Sequence, residues 1–343
     1  MSKPSGETLL EMRGLKKYYP VTEGAFKKVT GYVKAVDDVN LYVRKGETLG
    51  LVGESGCGKT TLGKCLVRLH KPSEGGLLLR GESGQMDDLL TLPKEESFRA
   101  RRRIQMVFQD PYASLNPMKN IFSAFDEPLK LHGFGDKATR AALAAKMMEA
   151  VNLQADYLWR YPHEFSGGQR QRICIAKALA LNPELVVCDE PVSALDVSIQ
   201  AQILNLMKRL QREFGLTYVF IAHDLSVVQY MSDRVAVMYL GKVVELASAK
   251  ELYGGAAHPY TQALLSAVPI PVLGAKKDRI LLTGDVPSPV NPPSGCRFHP
   301  RCPYCMDICR TQEPTLDPVD GKEEHLAACH LVKQAITERG QGI

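Results

Sequence analysis

The chain has 343 residues, more than one compact domain usually holds, with 45% hydrophobic and 24% charged residues; this excludes a disordered or membrane-embedded chain and suggests an ordinary soluble globular protein. No run approaches the roughly 18 apolar residues that a membrane span requires, and Met1 to Glu7 lacks the apolar core of a secretory signal, so a cytoplasmic location is expected, with any membrane role supplied by partners. The formal charge is +5 and the densest basic run is Arg99 to Arg103, which reads as a solvated helix face rather than a nucleic-acid or anionic-lipid surface.

The N-terminal stretch to about Tyr42 carries an aromatic pair, Tyr18 and Tyr19, and its Thr22 to Lys34 segment predicts a loop between strands. Val36 to Val43 alternates apolar and polar residues, and Thr48 to Val52 is a short apolar run of strand type. Directly after it, Gly53-Glu54-Ser55-Gly56-Cys57-Gly58-Lys59-Thr60 fits G-x-x-x-x-G-K-[ST]. Leu62, Cys65, Leu66 and Leu69 then recur at helical spacing, so the context is strand, loop, helix. In such a loop the glycines let backbone N–H groups converge on phosphates at a positive helix end. Lys59 would reach the β/γ-phosphates and Thr60 would ligate Mg²⁺. The loop alone does not separate a transporter motor from a kinase or a GTPase.

Further along, Ile104 to Phe108 predicts a buried strand ending at Gln109, and Ala138 to Leu153, rich in Ala, Leu, Met and Lys, predicts a helix. Leu185 to Cys188 and Tyr218 to Ile221 have the pattern of central strands in a parallel sheet, with a helix from Ser198 to Phe214 between them. Val235 to Tyr239 and Val243-Val244 flank Gly241-Lys242, a hairpin signal. From Pro269 onward proline is frequent, which marks a linker or an irregular extension. No internal repeat is evident.

Asp189-Glu190 places two carboxylates at the C-terminal end of a central strand, beside the expected phosphate loop. Asp189 can hold Mg²⁺ and Glu190 can polarise a water. His223 ends the next strand at the same edge, where an imidazole can contact a γ-phosphate; alone it would read as a structural histidine. Ser166-Gly167-Gly168-Gln169, preceded by Phe165, opens a helical pattern and offers a second anion site. One nucleotide does not need two such cradles from one chain, so this one is expected to serve a nucleotide held by another subunit; the plainer alternative is a helix cap formed by Ser166.

This ordered set resembles the ATP-binding subunit of an ABC transporter, with Phe165 standing where that family most often has Leu. The implied fold is a P-loop NTPase of the α/β class. It has a parallel-sheet core, an antiparallel β subdomain and an inserted helical signature subdomain at about 110–180, within an ATP-binding domain spanning 1–260. A Pro/Cys-rich extension follows at 261–343. The resemblance implies that Tyr19 stacks on adenine, and that Gly53, Glu54, Ser55, Gly56, Cys57, Gly58, Lys59, Thr60, Thr61 and Gln109 bind the nucleotide. It also implies Mg²⁺ held by Thr60, Gln109 and Asp189, chemistry by Glu190, His223 and Lys59, and coupling of two sites through Ser193, Ala194, Leu195 and Asp196.

The segments Val107 to Pro117, His258 to Leu265 and Gly284 to Cys329 narrow the resemblance to ATPases of the oligopeptide/dipeptide import group, and to the second of their two ATPase subunits. The implied partners are a second ABC ATPase, identical or paralogous, two transmembrane permeases and an extracytoplasmic solute-binding protein, with the chain peripheral on the cytoplasmic face of the plasma membrane and no nucleic acid involved. Nickel, glutathione and cationic-peptide importers share much of this pattern. A soluble ABC ATPase acting on nucleic acid or ribosomes commonly carries two ATPase units or a long coiled-coil insertion, and this chain has neither. A regulatory metal-binding module with a vestigial ATP site is the third reading, and intact Lys59, Glu190 and His223 argue against it.

Cys57, Cys65, Cys174 and Cys188 are scattered among apolar or motif residues, as buried cysteines are, whereas Cys296, Cys302, Cys305, Cys309 and Cys329 crowd the C-terminal segment. A reducing compartment makes a disulfide framework unlikely there and points to a metal or cluster. Cys296, Cys302, Cys309 and Cys329 are separated by five, six and nineteen residues, irregular for zinc and suited to an iron-sulfur cluster. In related importer ATPases those four positions carry [4Fe-4S], which leaves Cys305 spare. The pair Cys302 and Cys305, with His299, His325 and His330 nearby, keeps Zn²⁺ as the alternative, and unligated thiols are a third.

Overall fold

The computed structural model describes residues 6–24, 27–81, 83–268 and 279–334. The chain opens with two long strands, β1 (Thr8–Glu23) and β2 (Lys28–Arg44), followed by β3 (Thr48–Val52), α1 (Lys59–Leu66), β4 (Glu74–Arg80) and β5 (Met86–Asp88). Next come α2 (Lys94–Arg103), β6 (Ile104–Val107), α3 (Ile121–Leu131), α4 (Lys137–Ala150), α5 (Gly167–Leu179), β7 (Leu185–Asp189), α6 (Val197–Phe214) and β8 (Thr217–Ile221). The C-terminal part holds α7 (Leu225–Met231), β9 (Arg234–Tyr239), β10 (Lys242–Ser248), α8 (Ala249–Gly255), α9 (Pro259–Ser266), α10 (Asp307–Thr311), β11 (Asp317–Val319) and β12 (Lys322–Ala327).

The apolar runs read as central strands are buried along their whole length in β3, β7 and β8, because helices and a second sheet cover both faces. Among the described residues the larger sheet has the order β11-β12-β10-β9-β3-β8-β7-β6. The β9-β3-β8-β7-β6 stretch is parallel and the β9–β10, β10–β12 and β12–β11 pairs are antiparallel. The main sheet is therefore mixed: the expected parallel core is extended by antiparallel strands, the first of them through the hairpin signalled at Val235 to Val244, here β9–β10. Its outer strands β11 and β12 come from the C-terminal extension, pairing Glu245 with Ala327 and Leu246 with Leu326. Residues 317–327 are thus part of the main sheet.

The second sheet, β2-β1-β4-β5, is antiparallel and corrects the predicted loop at Thr22 to Lys34. The strands run out to Glu23 and back from Lys28, with Val21 opposite Gly31 and Thr22 opposite Val29. This arm of the hairpin is largely solvent-exposed, so its residues carry no alternation of buried apolar side chains, the signal by which strands are recognised. Two apolar cores result. One joins the sheet to α3, α4, α5 and α6, and the other joins α1 and the antiparallel sheet to its opposite face.

Helix limits follow local chemistry. Asn120 and Asp136 cap α3 and α4 by accepting from Ser123 and Thr139 N–H groups, and α6 stops at Gly215, whose φ of 65° is left-handed. Two expected boundaries differ: α1 ends at Leu66, leaving Leu69 exposed, and β6 ends at Val107, leaving Phe108 exposed. The basic run sits on α2, with Arg99 and Arg101 in solvent, Arg102 donating to the Leu181 carbonyl and Arg103 paired with Glu184. Pro269, where the proline-rich stretch begins, lies outside the described residues.

Candidate functional site

The parallel strands β3, β7 and β8 end at one edge of the sheet, and each carries functional side chains there. The loop after β3 turns back at Gly58, whose φ is 108° and where a Cβ would stand 2.0 Å from the Ala35 carbonyl oxygen, so only glycine fits. This close approach brings Lys59 to the first turn of α1, buried, with its ammonium donating to the Gly53 carbonyl at 2.8 Å and the Glu54 carbonyl at 3.0 Å. Thr60 Oγ1 donates to Asp189 Oδ1 at 2.9 Å. Burial first, and then the charge of Glu190, push the Asp189 carboxyl up against the opposing Thr60 hydrogen bond.

Glu190 follows at φ +46°, in the left-handed region that a non-glycine residue rarely enters. Its N–H donates to the Ile221 carbonyl at 2.9 Å, and its own carbonyl accepts from Ser193 N at 3.2 Å and Ser193 Oγ at 3.1 Å. Such locally over-determined strain clusters at functional sites. The carboxylate lies 2.9 Å from Gln109 Nε2, which donates to it, and 3.3 Å from His223 Nδ1. Three residues predicted separately on three strand ends are therefore in direct contact.

These side chains face a cleft lined by Tyr19, Ser55, Gly56, Gly58, Lys59, Thr60, Thr61, Gln109, Glu190 and His223. Tyr19 stands at its wall on β1, with the Lys17 ammonium 4.9 Å from its ring centroid and His70 edge-on at 5.8 Å. Gly53 and Cys57 sit behind the loop: Cys57 is buried, and burial pushes its thiol up. The cleft is also lined by Val33, Ala35 and Pro289, which sequence reasoning missed. Val33 and Ala35 fell within or beside the stretch read as a loop, and Pro289 carries no motif.

Ser166 to Gln169 line no part of this cleft. Ser166 accepts from Gln169 N at 3.3 Å and Gln169 Oε1 accepts from Ser166 N at 2.9 Å, a capping box that opens α5. The cap foreseen as the plainer alternative is thus present, on an exposed helix start. Phe165 is buried in the helical core and packs edge-on with Tyr157 at 5.6 Å, so an aromatic fills the apolar position. The turn Ser193 to Asp196 lies beside it: a Cβ on Gly167 would contact Leu195 Cδ2, and one on Gly168 would stand 2.7 Å from Ile199 Cγ2.

Cys57, Cys65, Cys174 and Cys188 are all buried, whereas in the extension only Cys309 is buried and Cys296, Cys302, Cys305 and Cys329 are half-buried. Burial pushes the Cys296 thiol up to about 12, and charge on Cys309, Cys329 and Cys302 pushes it the same way. Cys302 and Cys329 are likewise raised by burial first and by neighbouring thiols after it. The four thiols of the expected cluster therefore lie within electrostatic range of one another. Among the described residues, however, no group of three or more His, Cys, Asp or Glu side chains is drawn together as ligands of one metal ion.

A phosphate loop on β3, paired carboxylates ending β7, a histidine ending β8 and a capped Ser-Gly-Gly-Gln helix start together define an ABC-type P-loop ATPase. The "ABC transporter" family matches residues 36–193 and the "Oligopeptide/dipeptide transporter, C-terminal region" family matches residues 244–309. The chain is 53% identical to the oligopeptide transport ATP-binding protein AppF of Bacillus subtilis, over 96% of this chain and 99% of that protein. It is 50% identical to the dipeptide transport ATP-binding protein DppF of Haemophilus influenzae, over 94% and 96% respectively. A solved dimeric structure of the ATP-binding cassette MJ0796 bound to ADP and Pi covers 70% of this chain and 99% of its own, with 28% identity and a TM-score of 0.60. The chain belongs to the ABC transporter ATP-binding proteins of the oligopeptide/dipeptide group.

Proposed function

We propose that this chain is the ATP-hydrolysing subunit that energises import of di- or oligopeptides, working with a second ABC ATPase, two permeases and a solute-binding protein at the cytoplasmic face of the membrane. The observation that carries this reading is the convergence of Lys59, Thr60, Gln109, Glu190 and His223 on one cleft, with Asp189 bonded to Thr60, while Ser166 to Gln169 line no part of it. Residues 1–260 are read as the ATP-binding part, with 110–180 as its helical portion, and 261–343 as the extension. No helix of the described residues is long and apolar enough to cross a membrane, so contact with the bilayer falls to the permeases.

In this mechanism Lys59 exchanges the loop carbonyls for the phosphates, and the loop amides orient them. Glu190 orients the attacking water, held by Gln109 on one side and His223 on the other, and His223 steadies the γ-phosphate. Mg²⁺ suits the adjacent Thr60 hydroxyl and Asp189 carboxylate, with Gln109 as the third residue, and would supply neutralisation of charge on the phosphate oxygens. Ser166 to Gln169 close on the nucleotide of the facing subunit, and Ser193 to Asp196, packed beside them, couple the two sites. Exposed Phe108, Tyr112 and Met118 next to Gln109 support permease docking at that corner.

The crowding of Cys296, Cys302, Cys309 and Cys329 in one segment, all of them buried or half-buried, supports a [4Fe-4S] cluster there, with zinc as the alternative. These four residues would hold the cluster, which would supply a covalent staple with redox capacity. Anaerobic purification with iron, sulfide and zinc analysis tests this, and one equivalent of zinc without sulfide overturns it. The ATPase reading is tested by Glu190→Gln in the assembled transporter: turnover should fall by about 100-fold or more with ATP still bound, and near-wild-type turnover would sink the assignment. Uptake assays with labelled dipeptides, glutathione and nickel decide the solute.

A further inference from the structure

The extension reaches the ATP cleft directly. Pro289 lines it, and the Pro289 carbonyl accepts from Lys34 N at 3.0 Å on β2. The tighter contact is made by Arg301, which ends the turn His299–Arg301 one residue before Cys302. Its guanidinium forks onto Glu54, the second residue of the phosphate loop, with NH1 2.7 Å from Oε2 and NH2 3.0 Å from Oε1. Arg301 is buried and the Glu54 side chain is about one quarter exposed.

Glu54 is held at every polar handle it has. Its N–H donates to the Tyr260 hydroxyl at 2.8 Å, its carbonyl accepts from Lys59, and its carboxylate accepts from Arg301. Tyr260 in turn packs against Tyr239 and Phe298, with ring centroids 4.7 Å and 5.4 Å away. A loop whose Gly53, Gly56 and Gly58 all have positive φ has only Cys57 and Lys59 buried to help define where its amides point. Its anchors must define that, and two of them, Tyr260 and Arg301, lie beyond β10. Arg301 also neutralises a carboxylate that would otherwise stand unpaired in a loop built to receive a polyanion.

We propose that Arg301 is a positioning residue of the ATP site, holding the phosphate loop through Glu54 so that nucleotide affinity depends on the folded cysteine-bearing extension. The inference rests on the reading that Gly53 to Thr60 binds ATP, and a control separates the two. Mg-ATP must bind the wild-type full chain and fail to bind Lys59→Ala; without that difference the ATP reading itself falls.

The experiment measures Mg-ATP affinity of the full chain by calorimetry and KM and kcat for ATP in the assembled transporter. Arg301→Ala should raise Kd and KM roughly tenfold while kcat stays within about twofold. Arg301→Lys, which replaces a two-pronged contact by one point charge, should raise them by about threefold. Adding Glu54→Gln to Arg301→Ala removes the unpaired charge and should recover affinity by about threefold. A purely structural contact would lower the melting temperature without this split between KM and kcat or this recovery. Should Arg301→Ala fail to fold, Arg301→Lys decides. In either folded variant, Kd and KM within about 1.5-fold of wild type overturn the proposal.

Discussion

His258 is fully buried at the start of α9, where its Nδ1 accepts the Tyr260 N–H at 3.1 Å and its backbone N–H donates to Glu245 Oε2 at 3.0 Å. Phe298 covers the ring at 5.7 Å. Burial lowers the imidazole from 6.5 to about 4, against a smaller opposing pull from Glu245; the buried neighbour His325 bonds to the other side of Glu245 at 2.7 Å. The sign follows from proton counting. Between pH 6.5 and 4 the unfolded chain takes up a proton at this position that the folded chain refuses, so stability falls as pH drops through that window and is unaffected by this residue above it. The slope approaches about 1.4 kcal/mol per pH unit, or about 2 kcal/mol lost between pH 7.5 and 5.0. The assay is urea denaturation of wild type and His258→Asn across that range, since Asn keeps a helix-capping acceptor and does not titrate. The wild type should lose about 2 kcal/mol more than the variant over the same interval. Two curves that run parallel to within about 0.5 kcal/mol would refute a buried His258 held neutral.

Two further outcomes follow from packing. Gly168→Ala would bring a Cβ within 2.7 Å of Ile199 Cγ2, pushing the start of α5 off α6; ATPase activity of the assembled transporter should fall roughly tenfold or more, while calorimetric ATP binding by the isolated chain stays at the wild-type value. Arg234→Met should cost about 3–5 kcal/mol in urea denaturation, because it strands the fully buried Glu47 carboxylate now paired at 3.0 Å. The cost should be recovered in part by adding Glu47→Gln, and additive losses would contradict a coupled pair.

What the sequence disclosed and what it hid divide along a physical line. β3, β7 and β8 were legible because strands covered on both faces read as unbroken apolar runs, and their polar termini, Gly53, Asp189 and His223, mark the edge they share. The exposed arm of the β1–β2 hairpin was not legible, because strands held by backbone pairing with little burial leave no period in the side chains. The departures of β11 and β12 into the main sheet were hidden for a related reason: β12 contributes Lys322-Glu323-Glu324 on its outer part, which looks like solvent-facing coil. Motifs disclosed Gln109, Glu190 and His223 individually. Their contact, and the reach of Arg301 across 247 positions to Glu54, come from the fold alone, since no local pattern encodes a pairing at that separation.

The orientation of one amide links the chemistry of this site to its communication. An ionised Glu190 can only accept hydrogen bonds, so the group Gln109 presents to it at 2.9 Å must be Nε2, and Oε1 is left as the only free acceptor on that side chain. The same residue can therefore hold the carboxylate that orients water with one atom and offer an oxygen toward Mg²⁺ with the other. Gln109 sits at the end of the chain segment that continues directly into Asp110, Tyr112 and Met118, the exposed corner of the molecule. On the function proposed above, a partner docked at that corner would move Nε2 and Oε1 together, and so would alter both the hold on Glu190 and the oxygen offered to Mg²⁺ in a single displacement. A Gln109→Glu substitution replaces this two-sided amide by a second acceptor facing Glu190, and the like charges at that distance would force one of the two apart.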